Sequence, residues 1–594
     1  ILSSDWSSDV CSSDLCDELT KHKTQTIQKR VKQTVLDKIA PKDPTAKRPG
    51  FYVLLDKPVG GLPSNDGVGR HPVYINGDRL VTFAKMVGGI DDENILEMLR
   101  TAKGFRKLVH SVGVSIVGDL PDKVVTFTLG FSGELGSSGS RNSMKITTDG
   151  TEHIMVMEEQ QWSDSDETPQ EFLFELVKPK DIATATVKLY LNDGYTVPEV
   201  DPDPPVAFDT PAYGEMIARS CLSTGNNTRI KRVLQQLRDG KPTTIAFLGG
   251  SITQGAGAVP SQEMCYAHKT YEAICERYTP DHGAHVRYIK AGVGGTPCQL
   301  GIIRYDRDIT RDGAVQPDLI IVEFAVNDEA DETKGLMHES LIQKIWSAPN
   351  EPAVVMLFSV FANDWNLKDR LAPIGWRHEL PMVNVLDAVS PQFRVGVGER
   401  SVITRRQYFY DVFHPSNSGH RIMRDCLMYM LDRLDKQQEG PAPKELAPYY
   451  GFDFAETKLL DRSVNPFDAV IDPGCFTETD TDLQSVPFDF EDVNTPEFPH
   501  NWKKGAGDNP FTMDITCRSI QLVFKDSGSK EFGAAVVTVD GKEVAAYDPR
   551  QAGWTHCHAA IILKEETAQR HHIEIKMQEP GTDKVFTILG FGVL

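Results

Sequence analysis

Four short stretches hold, in chain order, the residue types that acyl transfer requires. In Gly249-Gly250-Ser251-Ile252-Thr253, small residues after an apolar run permit a sharp turn and leave the Ser251 hydroxyl exposed at a helix N-terminus. In Gly292-Val293-Gly294-Gly295-Thr296, glycines can present a bare backbone N–H to a ligand. Glu323-Phe324-Ala325-Val326-Asn327-Asp328 offers an amide donor, and Asp411-Val412-Phe413-His414 spaces a carboxylate so that it can orient an imidazole from one loop. A nucleophile, a base, its orienter and oxyanion donors are what a reaction through a tetrahedral intermediate needs. Each stretch alone also has a plainer reading. Gly249-Gly250-Ser251 could be a phosphate loop, but no Lys follows at the P-loop spacing. Asn327-Asp328 could be a turn or helix cap, and Asp411 with His414 a surface pair ahead of a helix start at Pro415-Ser416.

The elements that must position these residues are legible between about 212 and 437. Apolar runs at 243–248, 285–289, 319–326, 353–361 and 382–386 read as five strands buried on both faces. They alternate with amphipathic helices: Ala267, Tyr271, Ile274 and Tyr278 form one stripe, and Met423, Leu427, Met430 and Leu434 another. That alternation is the signature of a parallel sheet with helices on both faces, whose reactive loops follow the carboxyl ends of the strands.

The four blocks and their order resemble the SGNH hydrolases, also called the GDSL esterase family, over about 212–436. The resemblance implies a flavodoxin-like αβα domain, Ser251 as nucleophile, His414 as base and Asp411 as its partner. It also implies an oxyanion hole made by the Ser251 N–H with Gly295 and Asn327. Gly250 stands where many members have Asp, and the Gly-Gly-Ser-Ile-Thr form is similar to a bacterial multi-domain branch of carbohydrate esterases. Resemblance to that branch implies a serine esterase removing acyl groups, acetyl foremost, from plant-type oligosaccharides without a cofactor or metal. A lipase, thioesterase or acyltransferase on the same fold, or a carbohydrate-binding protein with a vestigial hydrolase domain, are the alternatives.

Around this domain the expected organisation is β-rich. Residues 1–15 repeat Ser-Ser-Asp and resemble a translated sequencing adapter, and 16–50 read as a basic helical tether. Residues 51–195 read as a β-rich domain with strands and an Asn76-Gly77 turn across 73–83, a turn at Asp149-Gly150, one helical insertion at 92–109 and a flexible loop at 133–140. An acidic proline linker (196–211), the hydrolase domain (212–437), a second linker (438–448) and a C-terminal β-sandwich (449–594) complete the chain. Trp365 and Trp376, in loops after the fourth strand, are candidate walls of a sugar cleft. Trp554 could stack on a sugar or fill the sandwich core. His556-Cys557-His558 with His571-His572 lacks fixed metal-ligand spacing. The C-terminal domain, with Trp554 and His556, is expected to act as a lid whose deletion after about Gly440 alters substrate preference more than turnover of a small ester.

Composition narrows the function classes. The 594 residues are 40% hydrophobic and 25% charged, and 63 Lys and Arg against 84 Asp and Glu leave a net charge of −21. An acidic surface argues against nucleic acid and anionic membranes as partners. No segment approaches the ~20 apolar residues of a bilayer crossing. Ten scattered cysteines without CxxC repeats fit a reducing compartment, so the expected setting is cytoplasmic, or secreted if the true N-terminus is missing. Nothing in the sequence fixes an oligomeric state.

Overall fold

The computed structural model describes residues 48–63, 68–119, 123–133, 138–201, 203–395, 401–444, 446–491 and 493–594. The 1–15 run, nearly all of the 16–50 tether and the middle of the 133–140 loop lie outside them. The chain divides into two compact units, one of residues 48–132 with 138–200 and one from 201 to 594.

The first unit contains antiparallel sheets of four and five strands. The helical insertion is two helices, Glu93–Leu99 and Ala102–Leu108. The 73–83 expectation is corrected: a strand ends at Tyr74, and Arg79–Met86 is a helix. Leu80, Val81, Phe83 and Ala84 are all buried on it, a spacing that suits one helical face and not a strand. The Asp149-Gly150 turn does not close a hairpin either. The strand before it, Ser138–Thr147, pairs in the five-stranded sheet, whereas His153–Val156 pairs in the other.

In the second unit six strands form the central sheet: β1 (Cys221–Ser223), β2 (Thr243–Gly249), β3 (Val286–Gly292), β4 (Leu319–Glu323), β5 (Ala353–Phe358) and β6 (Met382–Asn384). Their spatial order is β1-β6-β5-β4-β2-β3, parallel except for β1, which the sequence reading lacked. Taken alone, the five parallel strands run in the doubly wound, flavodoxin-like order, whose ligand site lies at the switch point beside β2. β4 and β5 are buried at every residue, as a sheet covered on both faces requires. The fifth strand is shorter than expected because Val385–Phe393 turns helical directly after Asn384. Register levels the site: Gly249 pairs with Gly292 on one side and Glu323 on the other, so three functional loops leave the sheet at one height.

The flanking helices include α1 (Ser251–Gln254), α2 (Tyr266–Tyr278), α3 (Cys298–Asp308), α4 (Leu336–Trp346), α5 (Lys368–Arg377) and α6 (Asn417–Lys436). Ser416 caps α6 through a bond from Gly419 N–H. Among the described residues no helix is long and apolar enough to cross a membrane.

Beyond the hydrolase domain, β7 (Lys458–Leu460), β8 (Phe511–Asp526), β9 (Ala535–Val539), β10 (Lys542–Tyr547), β11 (His556–Met577) and β12 (Thr587–Val593) join one antiparallel sheet with its own core around Trp502, Phe511, Ile573 and Phe591. An Asp540-Gly541 turn joins β9 to β10, with φ of 51° and 77°. This sheet is not a detachable lid. Phe454, Val486, Phe488, Phe498, Val523, Cys557 and Leu589 belong to the same buried cluster as Leu248, Ile289, Val322 and Phe324 of the α/β core. A chain ending near Gly440 would expose that apolar face, so truncation removes fold along with any specificity.

Candidate active site

α1 begins directly after Gly250, which puts Ser251 at its first position and at the switch point. The Ser251 Oγ lies 2.9 Å from His414 Nε2, and His414 Nδ1 lies 2.8 Å and 3.0 Å from the two Asp411 oxygens. Asp411 Oδ1 also accepts the N–H groups of Phe413 and His414, both at 2.8 Å, so the loop is wound around its own carboxylate. Burial alone would raise the Asp411 pKa. The adjacent His414 and the two N–H donors outweigh it and hold the carboxyl below its usual range, keeping it ionised as an acceptor for the imidazole N–H. Gly257, at φ +86°, lets this loop come close, since a Cβ there would stand 2.2 Å from Pro415 O and 3.0 Å from His414 Cβ.

Three donors of the neighbouring loops are left unengaged. Among the described residues the Ser251 N–H, the Gly295 N–H and the Asn327 amide nitrogen make no hydrogen bond. The neighbouring Gly294 N–H is already used by Gln254 Oε1 at 3.0 Å, which leaves Gly295 as the donor of that loop. Gly295 has φ +71°, and a Cβ on it would meet Trp554 and His556 at 3.0–3.1 Å, so only glycine suits both backbone and space. Gly250 owes its identity to a different crowding: a Cβ there would lie 2.1 Å from Asn327 Oδ1. A side chain at this position therefore has no room beside the asparagine as it stands.

Beneath the loops the supports are buried. Arg304, fully buried, donates to Gly249 O at 3.0 Å and pairs with Asp308, which also binds Arg307; Arg307 in turn pairs with Glu497. Glu323 accepts bonds from Thr253 and Ser359, and burial, the largest influence, raises its carboxyl to about 8. The buried Lys290 donates to Gln254 O at 3.0 Å, closing the end of α1. Asp328 takes the Cys298 N–H at 2.7 Å and His338 Nδ1 at 2.7 Å, tying the asparagine block to the start of α3. Cys298, Asp328 and His338 are near enough together for a metal, but both Asp328 oxygens are committed to these bonds, and the group fits a structural brace. Cys298 itself is a fully buried small side chain, as read from sequence.

The predicted site residues thus separate into two groups. Ser251, Gly295, Asn327, Asp411 and His414 come together, and Trp554 joins them from the loop ahead of β11, 47% exposed, beside Gly295. Trp365 stands at the rim: its carbonyl accepts Phe361 N–H at 3.0 Å, and Phe361 packs on Phe413, the residue before His414. Trp376 is a correction. It lies at the far end of α5, lining a cavity with Asn226, Glu379 and Gln437 at the amino end of β6. α6 runs from the His414 loop to that end, and its 20 residues span about 30 Å. An index of loop residues cannot reveal that the loop has already become a helix returning to the other edge of the sheet.

Gln254, Gln484 and His556 hold the Gly294-Gly295 loop by hydrogen bonds. His556 Nε2 donates to Gly295 O at 3.1 Å, and burial lowers its pKa, consistent with a neutral ring. A β-strand histidine and an isolated glutamine carry no local signal for such a role.

No protein-family model matches the sequence, and no curated protein does. Among solved structures, a two-domain esterase (CEX) active on acetylated mannans is similar at 25% identity and a TM-score of 0.54, over 64% of this chain and 98% of the other. The same esterase co-crystallized with mannopentaose is similar at 26% identity and a TM-score of 0.53, over 64% of this chain and 97% of the other.

Proposed function

We propose that this chain is a serine esterase of the SGNH type that removes acetyl groups from carbohydrate, with acetylated manno-oligosaccharides foremost among plant-type substrates. The observation that carries the reading is the bonded chain Ser251–His414–Asp411 beside three unengaged donors. The mannan assignment draws support from the two-domain esterase, nearly all of which aligns with this chain.

In the proposed reaction His414 Nε2 takes the Ser251 proton while Oγ bonds to the ester carbon. The carbonyl oxygen becomes an oxyanion held by the Ser251 and Gly295 N–H groups and the Asn327 amide. Collapse breaks the bond to the sugar oxygen, which leaves with the proton from His414. Water then attacks the acetyl-enzyme with His414 as base, releasing acetate and restoring Ser251. Asp411 keeps the imidazole in the tautomer whose Nε2 can accept, and stabilises the imidazolium. The test is mass spectrometry of acetylated manno- and xylo-oligosaccharides incubated with wild type and Ser251→Ala. Loss of 42-dalton acetyl units, a mass of about that size per ester, is expected with wild type alone. Acetyl retention on both glycans by a wild type that still hydrolyses 4-nitrophenyl acetate would overturn the substrate class, and full activity of Ser251→Ala would overturn the mechanism.

A further inference from the structure

The peptide between Gly294 and Gly295 has no side chain on either residue to set its plane, so its orientation must come from outside. Its carbonyl accepts Gln484 Nε2 at 2.8 Å, and Gln484 Oε1 accepts Cys557 N–H of β11 at 3.0 Å. A carbonyl can only accept and a backbone N–H only donate, so these two contacts leave the Gln484 amide one orientation. Gln484 is 8% exposed and Cys557 2%, which protects both bonds from competing water. A trans peptide is planar, with its C=O and N–H directed oppositely. Drawing Gly294 O towards Gln484 therefore turns the Gly295 N–H away from Gln484. Gly294 itself sits against the nucleophile: a Cβ on it would be 3.6 Å from Ser251 Cβ and 3.9 Å from Gln484 Nε2.

We propose that Gln484 is a positioning residue for the oxyanion hole: by bridging Gly294 O to the Cys557 N–H it sets the Gly294–Gly295 peptide plane and aims the Gly295 N–H at the developing oxyanion. The inference rests on the serine-esterase reading and deepens it. It makes the C-terminal sheet part of the catalytic apparatus for every ester, including one that carries no sugar.

The experiment uses the full chain and 4-nitrophenyl acetate. Gln484→Glu keeps length and the acceptor for Cys557 N–H but loses the donor, whereas Gln484→Met keeps approximate volume and loses both. End-point titration with an organophosphonate counts folded sites, so turnover is expressed per titrated site. Both variants are expected to lose roughly 10- to 100-fold in kcat at pH 8 with KM within about 2-fold, the pattern of an interaction made in the transition state. A protonated Glu can donate again, so the deficit of Gln484→Glu relative to wild type should narrow by pH 5. Turnover within about 2-fold of wild type, a loss confined to KM, or failure of both variants to fold would overturn the proposal. Ser251→Ala run in parallel separates the two readings: its inactivity beside unaffected Gln484 variants overturns only the positioning role, whereas its full activity overturns the esterase reading itself.

Discussion

Replacing Gly250 with Ala tests whether Asn327 is a working oxyanion donor without touching any group that bonds to substrate. The new Cβ would stand 2.1 Å from Asn327 Oδ1, and real Cβ contacts begin at 3.0–3.4 Å, so one of the two must yield. Gly250 is fixed in the turn between β2 and α1, with its N–H on Glu323 O, whereas the Asn327 amide ends a rotatable side chain. The amide should therefore move, by about 1 Å, a displacement that costs on the order of 10²-fold when it falls on a catalytic contact. Loss of one oxyanion donor costs about 10²–10³-fold, so kcat on 4-nitrophenyl acetate should fall roughly 10²-fold with KM nearly unchanged. The φ of Gly250, −91°, lies outside the left-handed region, so the contact with Asn327 is the change followed here, and a melting temperature measured beside the kinetics separates it from loss of fold. Gly250→Ala combined with Asn327→Ala should be no slower than Asn327→Ala alone, since both remove one interaction. Steady-state kinetics of the two single variants and the double decide it. A Gly250→Ala enzyme within about 3-fold of wild type, or an additive double variant, would refute the reasoning.

Glu323 binds its proton in the folded state up to about pH 8, whereas the free side chain releases it near 4.5. Folding stability from this group is therefore full below about pH 4.5 and is lost as pH rises towards 8, by an amount on the order of a few kcal/mol. Urea denaturation at pH 5 and pH 8 should show that loss in wild type and not in Glu323→Gln; parallel slopes would sink the assignment. Asp308→Ala leaves the fully buried Arg304 without its carboxylate and should destabilise by about 3–5 kcal/mol in denaturant titrations, with a smaller effect disproving a tight ion network. Trp554→Ala should raise KM for acetylated oligosaccharide about 10-fold and spare 4-nitrophenyl acetate, whereas Trp376→Ala should leave both within about 2-fold. Equal effects of the two tryptophans would contradict their placement at opposite ends of the sheet.

The hydrolase fold was legible because each parallel strand here is a nearly unbroken apolar run and each helix has a clean stripe. The serine, glycine, asparagine and histidine blocks were legible for the same reason: they follow recognisable strands, and such loops share one edge of the sheet. The 73–83 segment misled because Asn76-Gly77 is a strong hairpin signal, while the apolar spacing that follows it satisfies one face of a short helix. Trp376 misled because the segment after β5 both lines the rim and, within α5, leaves it.

Residue type and order alone determined which atoms could attack, take up a proton and donate to an oxyanion. Tertiary structure decided what packs against the glycine-rich loop among them. Gln484 reaches Gly294 across 190 residues and His556 reaches Gly295 across 261, and neither contact has a local pattern to announce it. The physical reason is that a glycine-rich loop encodes freedom, not direction: its peptide planes are set by whatever packs against them, and here those partners come from the far end of the chain.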